Sequence, residues 1–403
     1  MRRHRIFIMV IVACFHSLTV SSQPRLQAEN IDDVIAAMTL EEKCHLVLGC
    51  GMSYGDDAKF PGTAGSTYAI PRLGIPKTYC ADSNQGLRMS ARRDFDSRNY
   101  FCTDYMTSIS LASTWDKDAA YRIGKGIGNE TKEYGLDWIL APSMNLMRNV
   151  LCGRNHEYYS EDPYLSGTIA AHYVMGIQSE GTAACVKHFA ANSQETNRNA
   201  NDSRVSQRAL RELYLRNFEL AVRISNPWTV MTAYNSINGK PTCEDISLTE
   251  TVLRGEWNYK GLVVSDWNAG SNATASMVAG NDMLQPGQDK QYHELLANAK
   301  NGSLPMAVLD RNVKRILQFI VKCHNFNNYT YSNEPDLKQH AADDRKIGAE
   351  GMVLLKNENV LPLLAGQNVA LYGCTSYDII PGGTGFGGTT VGRYTVSLVE
   401  GLR

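Results

Sequence analysis

Short apolar runs recur along the chain, and each ends in polar or charged residues: "IPKTYCAD" (75–82), "LDWILAPSMNL" (136–146), "TAACVKHFAAN" (182–192), "PWTVMTAYN" (227–235) and "GLVVSDW" (261–267). Between them lie patterns of helical period. "TWDKDAAYRIGKGIGNETKEYG" is one. "SQRALRELYLRNFELAVRIS" is another, with Leu210, Leu213, Tyr214, Phe218 and Ala221 on one face. Strands that alternate with helices predict a parallel sheet. Runs that are apolar on both faces predict strands covered on both sides. Asp82, Asn145, Lys187, His188, Tyr234, Asn235 and Asp266 stand at the carboxyl ends of these runs. Barrels and open α/β sheets place their active sites there.

The flanks add to the picture. In "IDDVIAAMTLEEKCHLVLG", Thr39 and Glu42 form a capping box, and Leu40, Cys44 and Leu48 share a face, so a helix is predicted. "GCGMSYGDDAKFPGTAG" reads as loop. From about Cys323 the chain turns polar and aromatic and loses period, as a linker does. "AADDRKIGAEGMVLLKNENVLPL" then predicts a helix, a short strand and a turn, and "NVALYG" a further strand. A second domain is thus expected to begin without being completed. "GTGFGG" (383–388) lacks the strand-before and helix-after context of a phosphate loop and reads as a glycine-rich surface loop. This absence, with the length of the repeat, favours a barrel over an open sheet.

The N-terminus runs from basic "MRRHR" through apolar "IFIMVIVACF" to small and polar "SLTVSSQP", the order of a secretory signal peptide over residues 1–22, with cleavage expected after Ser22. Export to the periplasm or the exterior is expected. "IVAC", ending at Cys14, leaves a lipoprotein anchor open as the alternative. No later stretch is long and apolar enough to span a bilayer. Formal net charge is -1, which gives no electrostatic footprint for nucleic acid. The ten cysteines form neither a CxxC nor a metal-ligand pattern, and most sit beside apolar residues, so buried thiols are expected. Neither a metal nor a cofactor is implied. Homo-oligomers are left open.

Asp266 carries the chemistry. A carboxylate at a strand end, beside Trp267, is held and aimed, ready to attack an electrophilic carbon or stabilise a cation. The competing reading is a helix N-cap. Lys187 and His188 are adjacent, and adjacent strand residues face opposite sides, so both line one site only if the strand ends or bends there. Arg154 suits a polar ligand, whereas Glu157, Glu161 and Asp162 suit local backbone and arginine groups. Asp82 and Arg88 lie in a turn-rich segment. Together these are the donors, acceptors and aromatic face that a polyol needs. No Gly-x-Ser-x-Gly elbow is present.

With "CGRNHEYYSEDPYLSG", "KHFAANSQETNR", "MTAYNSINGKP" and "GLVVSDW" in this order, the chain resembles glycoside hydrolase family 3, the β-glucosidase-like enzymes. The resemblance runs from "MTLEEK" to beyond "VLLKNENVLPL". It implies an α/β fold: a (β/α)8 TIM-type barrel over residues 25–325, a linker over 326–347, and over 348–403 the incomplete beginning of an α/β sandwich domain. It implies that Asp266 is the catalytic nucleophile and Trp267 the wall of the sugar subsite. By the same resemblance Asp82 grips hydroxyls of the non-reducing-end sugar, Arg88, Arg154, Lys187 and His188 ring that sugar, and Arg198 and Tyr234 lie near the nucleophile. Relatives carry Asp-Gly-Pro where this chain has Asp82-Ser83-Asn84, which puts the local turn in question. The implied activity is exo-acting, retaining release of a β-linked sugar, glucose first, from an oligosaccharide or glycoside. A β-xylosidase or other exo-glycosidase, or a non-catalytic sugar-binding remnant, is the alternative. The N-acetylglucosamine-specific branch carries a "KHFPGHG"-like run, which "KHFAANS" does not match. Relatives draw their acid/base glutamate from the sandwich domain, so weak turnover of unactivated glycosides is expected of these 403 residues. Glu195 is the alternative for that acid/base role within these residues, although it reads better as a structural hydrogen-bonding residue, and Arg198 and Lys187 are expected to favour an ionised Asp266.

Overall fold

A computed structural model describes residues 23–52, 59–82, 84–382 and 390–403. The proposed leader (1–22) and "GTGFGG" (383–388) lie outside the described residues. The five apolar runs form the strands Tyr79–Asp82, Trp138–Leu140, Ala183–Phe189, Thr229–Thr232 and Leu262–Val264, paired in that order and all parallel. Gly65–Ser66 pairs with the first of them in the antiparallel sense. The sheet curls until its ends meet. Val264 bridges Met283, Leu284 bridges Leu48, and Gly49 bridges Thr67 beside Gly65–Ser66. The result is the expected TIM-type barrel, with one antiparallel member and a seam made of single bridges.

Side-chain alternation separates two apolar layers. Ala81, Ile139, Ala184, Val186, Val230 and Val263 pack outward against the helices Lys117–Glu133, Pro163–Ser179 and Arg216–Ser225. Cys80, Leu140, Cys185, Met231 and Val264 belong to the second layer, with Trp138 closing against Phe319 of helix Met306–Ile320. The helices Lys117–Glu133 and Pro163–Ser179 touch backbone to backbone. A Cβ on Gly124 would lie 2.1 Å from the Tyr173 carbonyl oxygen, and one on Gly176 would lie 2.1 Å from that of Tyr121. Only glycine permits this approach.

Local expectations meet mixed outcomes. The capping box at Thr39 and Glu42 forms and starts helix Leu40–Leu46, but Leu48 lies past the helix, in the barrel seam. Leu210, Phe218 and Ala221 are buried, whereas Leu213 is exposed. The cause is a π-helical turn over Leu210–Tyr214, which adds a residue to the turn and rotates Leu213 off the apolar face. The nine described cysteines are all unpaired, and six are buried. Among the described residues, no helix is long and apolar enough to cross a membrane.

Beyond the barrel, Asn325 donates to Asp137, Tyr329 to Glu133, and helix Leu337–Glu350 is held by His340 Nδ1, 2.9 Å from buried Glu130, and by Asp344, which accepts from the Met106 amide. The strands read in "MVLL" (352–355) and "NVALYG" (368–373) do not form. Both runs are largely exposed and unpaired in any ladder. Apolar sequence alone does not make a strand, which needs a neighbour for its hydrogen bonds and its buried face.

Candidate active site

The nine residues given roles at the sugar site line one cavity of about 640 Å³ at the carboxyl end of the barrel strands: Asp82, Arg88, Arg154, Lys187, His188, Arg198, Tyr234, Asp266 and Trp267; Asn145 and Asn235, also at strand ends, do not line it. Asp82 ends its strand, and its carbonyl accepts from the Arg88 amide, with both residues lining the cavity; Ser83, in the turn that departs from the family pattern, lies outside the described residues. Lys187 and His188 are adjacent, yet both face inward. Pairing between strands Ala183–Phe189 and Thr229–Thr232 is irregular from Val186 to Phe189, and such a slip re-aims a side chain. Asn145 holds His188 in place through both its backbone groups, at 2.8 and 3.0 Å.

The charges are ordered in pairs. Lys187 Nζ lies 2.6 Å from Asp82 Oδ1. Arg154 Nε donates to Glu157, which also accepts from Asn84 Nδ2 and Ser143 Oγ, each at 3.0 Å. Arg154 Nη2 is 2.9 Å from His188 Nε2. Arg198 donates to Glu195 at 2.9 Å and lies 4.0 Å over the Tyr234 ring. Glu157 and Glu195 each pair with an arginine three residues away, in line with the local duties read in the sequence, and they line the cavity as well. The spacing of Arg154 and Glu157, and of Glu195 and Arg198, at three residues was the available signal.

Burial is the largest single influence on the titrating groups described here, and charged partners decide where it is overcome. It pushes Asp266 up to about 6, against the pull of Arg154, the Trp267 amide, Lys187 and Arg198. The cations favour ionisation as expected, but they do not overcome desolvation. Burial, then Arg154, Lys187 and Arg198, hold His188 well below the ordinary histidine range. The neutral ring therefore makes no ion pair with Asp266, whose Oδ2 lies 3.6 Å away. For Lys187, burial acts to lower the pKa, but Asp82 and Glu157 outweigh it and raise the value. Tyr234 is pushed up by burial and then by the Asp266 charge.

Five buried polar atoms of cavity residues have no hydrogen-bond partner: Asp266 Oδ2, His188 Nδ1, Trp267 Nε1, Arg154 Nη1 and Glu195 Oε1. Unpaired buried groups are costly, and a concentration of them marks a place for a polar ligand. The Trp267 indole packs against Gly65, its Cζ2 being 3.7 Å from where a Cβ would stand. Among the described residues, no group of three or more His, Cys, Asp or Glu side chains is arranged to hold a metal ion.

Residues 69–319 match the glycosyl hydrolase family 3 N-terminal domain. The chain belongs to this family. It is similar to β-glucosidase B of Emericella nidulans, 38% identical over 94% of this chain and 44% of that protein. It is also similar to a thermostable β-glucosidase B of Acetivibrio thermocellus, 39% identical over 86% of this chain and 45% of that one. The structure of β-glucosidase 3B from Thermotoga neapolitana in complex with α-D-glucose superposes with a TM-score of 0.90 and 46% identity, over 93% of this chain and 54% of that one. The family 3 chain described here spans about half the length of the relatives it matches.

Proposed function

We propose that this family 3 domain is the sugar-binding and nucleophile-bearing part of a glycosidase that acts on β-glucosides. It would release glucose from the non-reducing end with retention, through a covalent glycosyl-aspartate. The observation that carries the reading is Asp266: a buried carboxylate at a strand end, with Oδ2 unpartnered, in a cavity lined by ordered charge pairs. Asp266 attacks the anomeric carbon as the bond to the leaving oxygen breaks. An acid protonates that oxygen, and water later releases the sugar from Asp266. Asp82 and Lys187 are suited to sugar hydroxyls, and Trp267 to the C–H face of the ring. The names of the relatives, and the glucose bound by the Thermotoga enzyme, support glucose as the sugar. Export of the protein, from its leader sequence, is part of the same proposal.

Asp82, Glu157 and Glu195, the other carboxylates that line the cavity, are each paired with a lysine or arginine, which suits binding and not proton donation. The test therefore uses a reagent that needs little acid help. The chain is incubated with a 2-deoxy-2-fluoro-β-glucoside that bears a reactive leaving group, and its intact mass is measured. A gain of one sugar that is absent in Asp266→Ala is expected. No gain from the folded chain would overturn the reading.

A second reading has one specific support. A relative 35% identical over 82% of this chain is an exo-α-(1→6)-L-arabinopyranosidase of Bifidobacterium longum. A pentopyranose, such as xylose, is thus the alternative glycone. Faster labelling by the fluoroxyloside than by the fluoroglucoside would favour it.

A further inference from the structure

We propose that Ser265 is a positioning residue for the nucleophile: its hydroxyl fastens the turn that carries Asp266 to the backbone of Gln285, across the seam of the barrel, and so fixes where the carboxylate stands. This inference rests on the glycosyl-aspartate chemistry proposed above.

The strand ladder stops short of Asp266. Strand Leu262–Val264 pairs with Thr229–Thr232 as far as Val264 and Met231, and Asp266 stands two residues further on. The chain there is tied to Met283–Gln285 instead. The Ser265 amide donates to the Met283 carbonyl at 3.0 Å. Ser265 Oγ accepts from the Gln285 amide at 2.9 Å. The Asn268 amide donates to the Gln285 carbonyl at 2.8 Å. Gln285 thus grips the turn on both sides of Asp266 and Trp267, by its backbone donor on one side and its backbone acceptor on the other.

The anchor is itself fixed. The Leu284 amide donates to the Val47 carbonyl, and the Leu284 carbonyl accepts from the Gly49 amide, each at 2.9 Å. A Cβ on Gly49 would stand 2.0 Å from Gln285 Oε1, so the glutamine side chain fills the space beside that glycine. Among the three ties to the turn, the one through Ser265 Oγ is the one that depends on a side chain. Ser265 and Gln285 are both buried, so without the hydroxyl the Gln285 amide would lose its acceptor away from water. The near end of the turn would then hang on the Ser265–Met283 bond. Attack on a carbon demands close, aligned approach, so a small shift of the Asp266 carboxylate slows the chemistry. Sugar affinity is proposed to rest on Asp82 and Lys187, which that shift leaves in place.

Labelling of the whole chain by the fluoroglucoside, followed by intact mass over a range of reagent concentrations, tests this, with glucose affinity measured by calorimetry. In Ser265→Ala the limiting rate is expected to fall about tenfold or more, the scale of a small misplacement of reacting groups. Glucose affinity is expected to stay within about twofold, as for an interaction felt only in the transition state. Ser265→Cys nearly keeps the volume but offers only a weak acceptor, so it should be slow as well. Ser265→Thr keeps the hydroxyl and should recover most of the rate. A wild-type limiting rate in Ser265→Ala would overturn the inference, and so would a matching fall in rate and glucose affinity. If Ser265→Ala fails to fold, Ser265→Cys and Ser265→Thr decide, and equal rates in the two would overturn it. A folded wild-type chain that takes up no label would instead overturn the glycosyl-aspartate reading, and this inference with it.

Discussion

Lys187 Nζ lies 2.6 Å from Asp82 Oδ1, a bond that ties two strands that are not neighbours, since Trp138–Leu140 runs between them. Both side chains are largely buried, so removing the lysine takes a close cation away from a largely buried carboxylate. Lys187→Met is expected to destabilise the chain by about 3–5 kcal/mol in urea denaturation. It should also abolish detectable glucose binding. A loss under 1 kcal/mol would show that the pair is more solvated than its geometry indicates.

Asp266 sets a pH dependence with a definite sign. Burial holds its folded pKa at about 6, above the ordinary 3.8. Between roughly pH 4 and 6 the folded chain therefore keeps a proton that the unfolded chain has lost. Stability from this group is full below that window and is lost as pH rises through 6. Asp266→Asn removes the penalty and should stabilise the chain at pH 7 by about 1–3 kcal/mol, with no gain at pH 4. Labelling by the fluoroglucoside should show the opposite trend. Its rate is expected to rise about tenfold per pH unit up to near 6 and then to level, because only the carboxylate attacks. A rate that is flat from pH 4 to 8 would contradict the assignment.

In the proposed reaction, Glu157 would act through Arg154. It is almost wholly buried and accepts from Arg154, Asn84 and Ser143 together. Glu157→Gln keeps the shape but weakens the hold on the guanidinium. The labelling rate is expected to fall about tenfold or more, the scale of a charge-assisted hydrogen bond. Stopped-flow or mass-resolved labelling at saturating reagent separates this from weaker binding.

Gly176 offers a case in which propensity and packing disagree. Alanine favours a helix over glycine by about 1 kcal/mol. At this position, however, the new Cβ would meet the Tyr121 carbonyl oxygen at 2.1 Å, and backbone cannot move aside cheaply. Gly176→Ala is expected to lose about 1–3 kcal/mol net, measured as a lower denaturation midpoint.

Much of the barrel was legible because its central strands announce themselves. Apolar runs such as "GLVVSDW" need only local sequence to be recognised, and their polar ends mark the catalytic face. Leu48–Gly49 and Met283–Leu284 gave no such signal. They are very short and gain their partners only when the ring closes. The turn around Leu210–Tyr214 was misread because helical period assumes a regular helix. In the site, residue types located the cavity members, but Asp266's upward shift depends on burial that sequence does not print. Glu195 was read as a structural hydrogen-bonding residue, and it accepts from Arg198 at 2.9 Å; its approach to Arg154, forty-one positions away in the chain, has no local signal.

The barrel's single-bridge seam has a consequence for how the molecule breathes. Every other junction of the ring is a strand ladder, whereas Val264–Met283, Leu284–Leu48 and Gly49–Thr67 each rest on one bridge. Trp267 follows directly on this seam, and its indole leans on Gly65 from the far side. The indole thus reaches across the stretch of the ring that no ladder closes, and site and seam share one side chain.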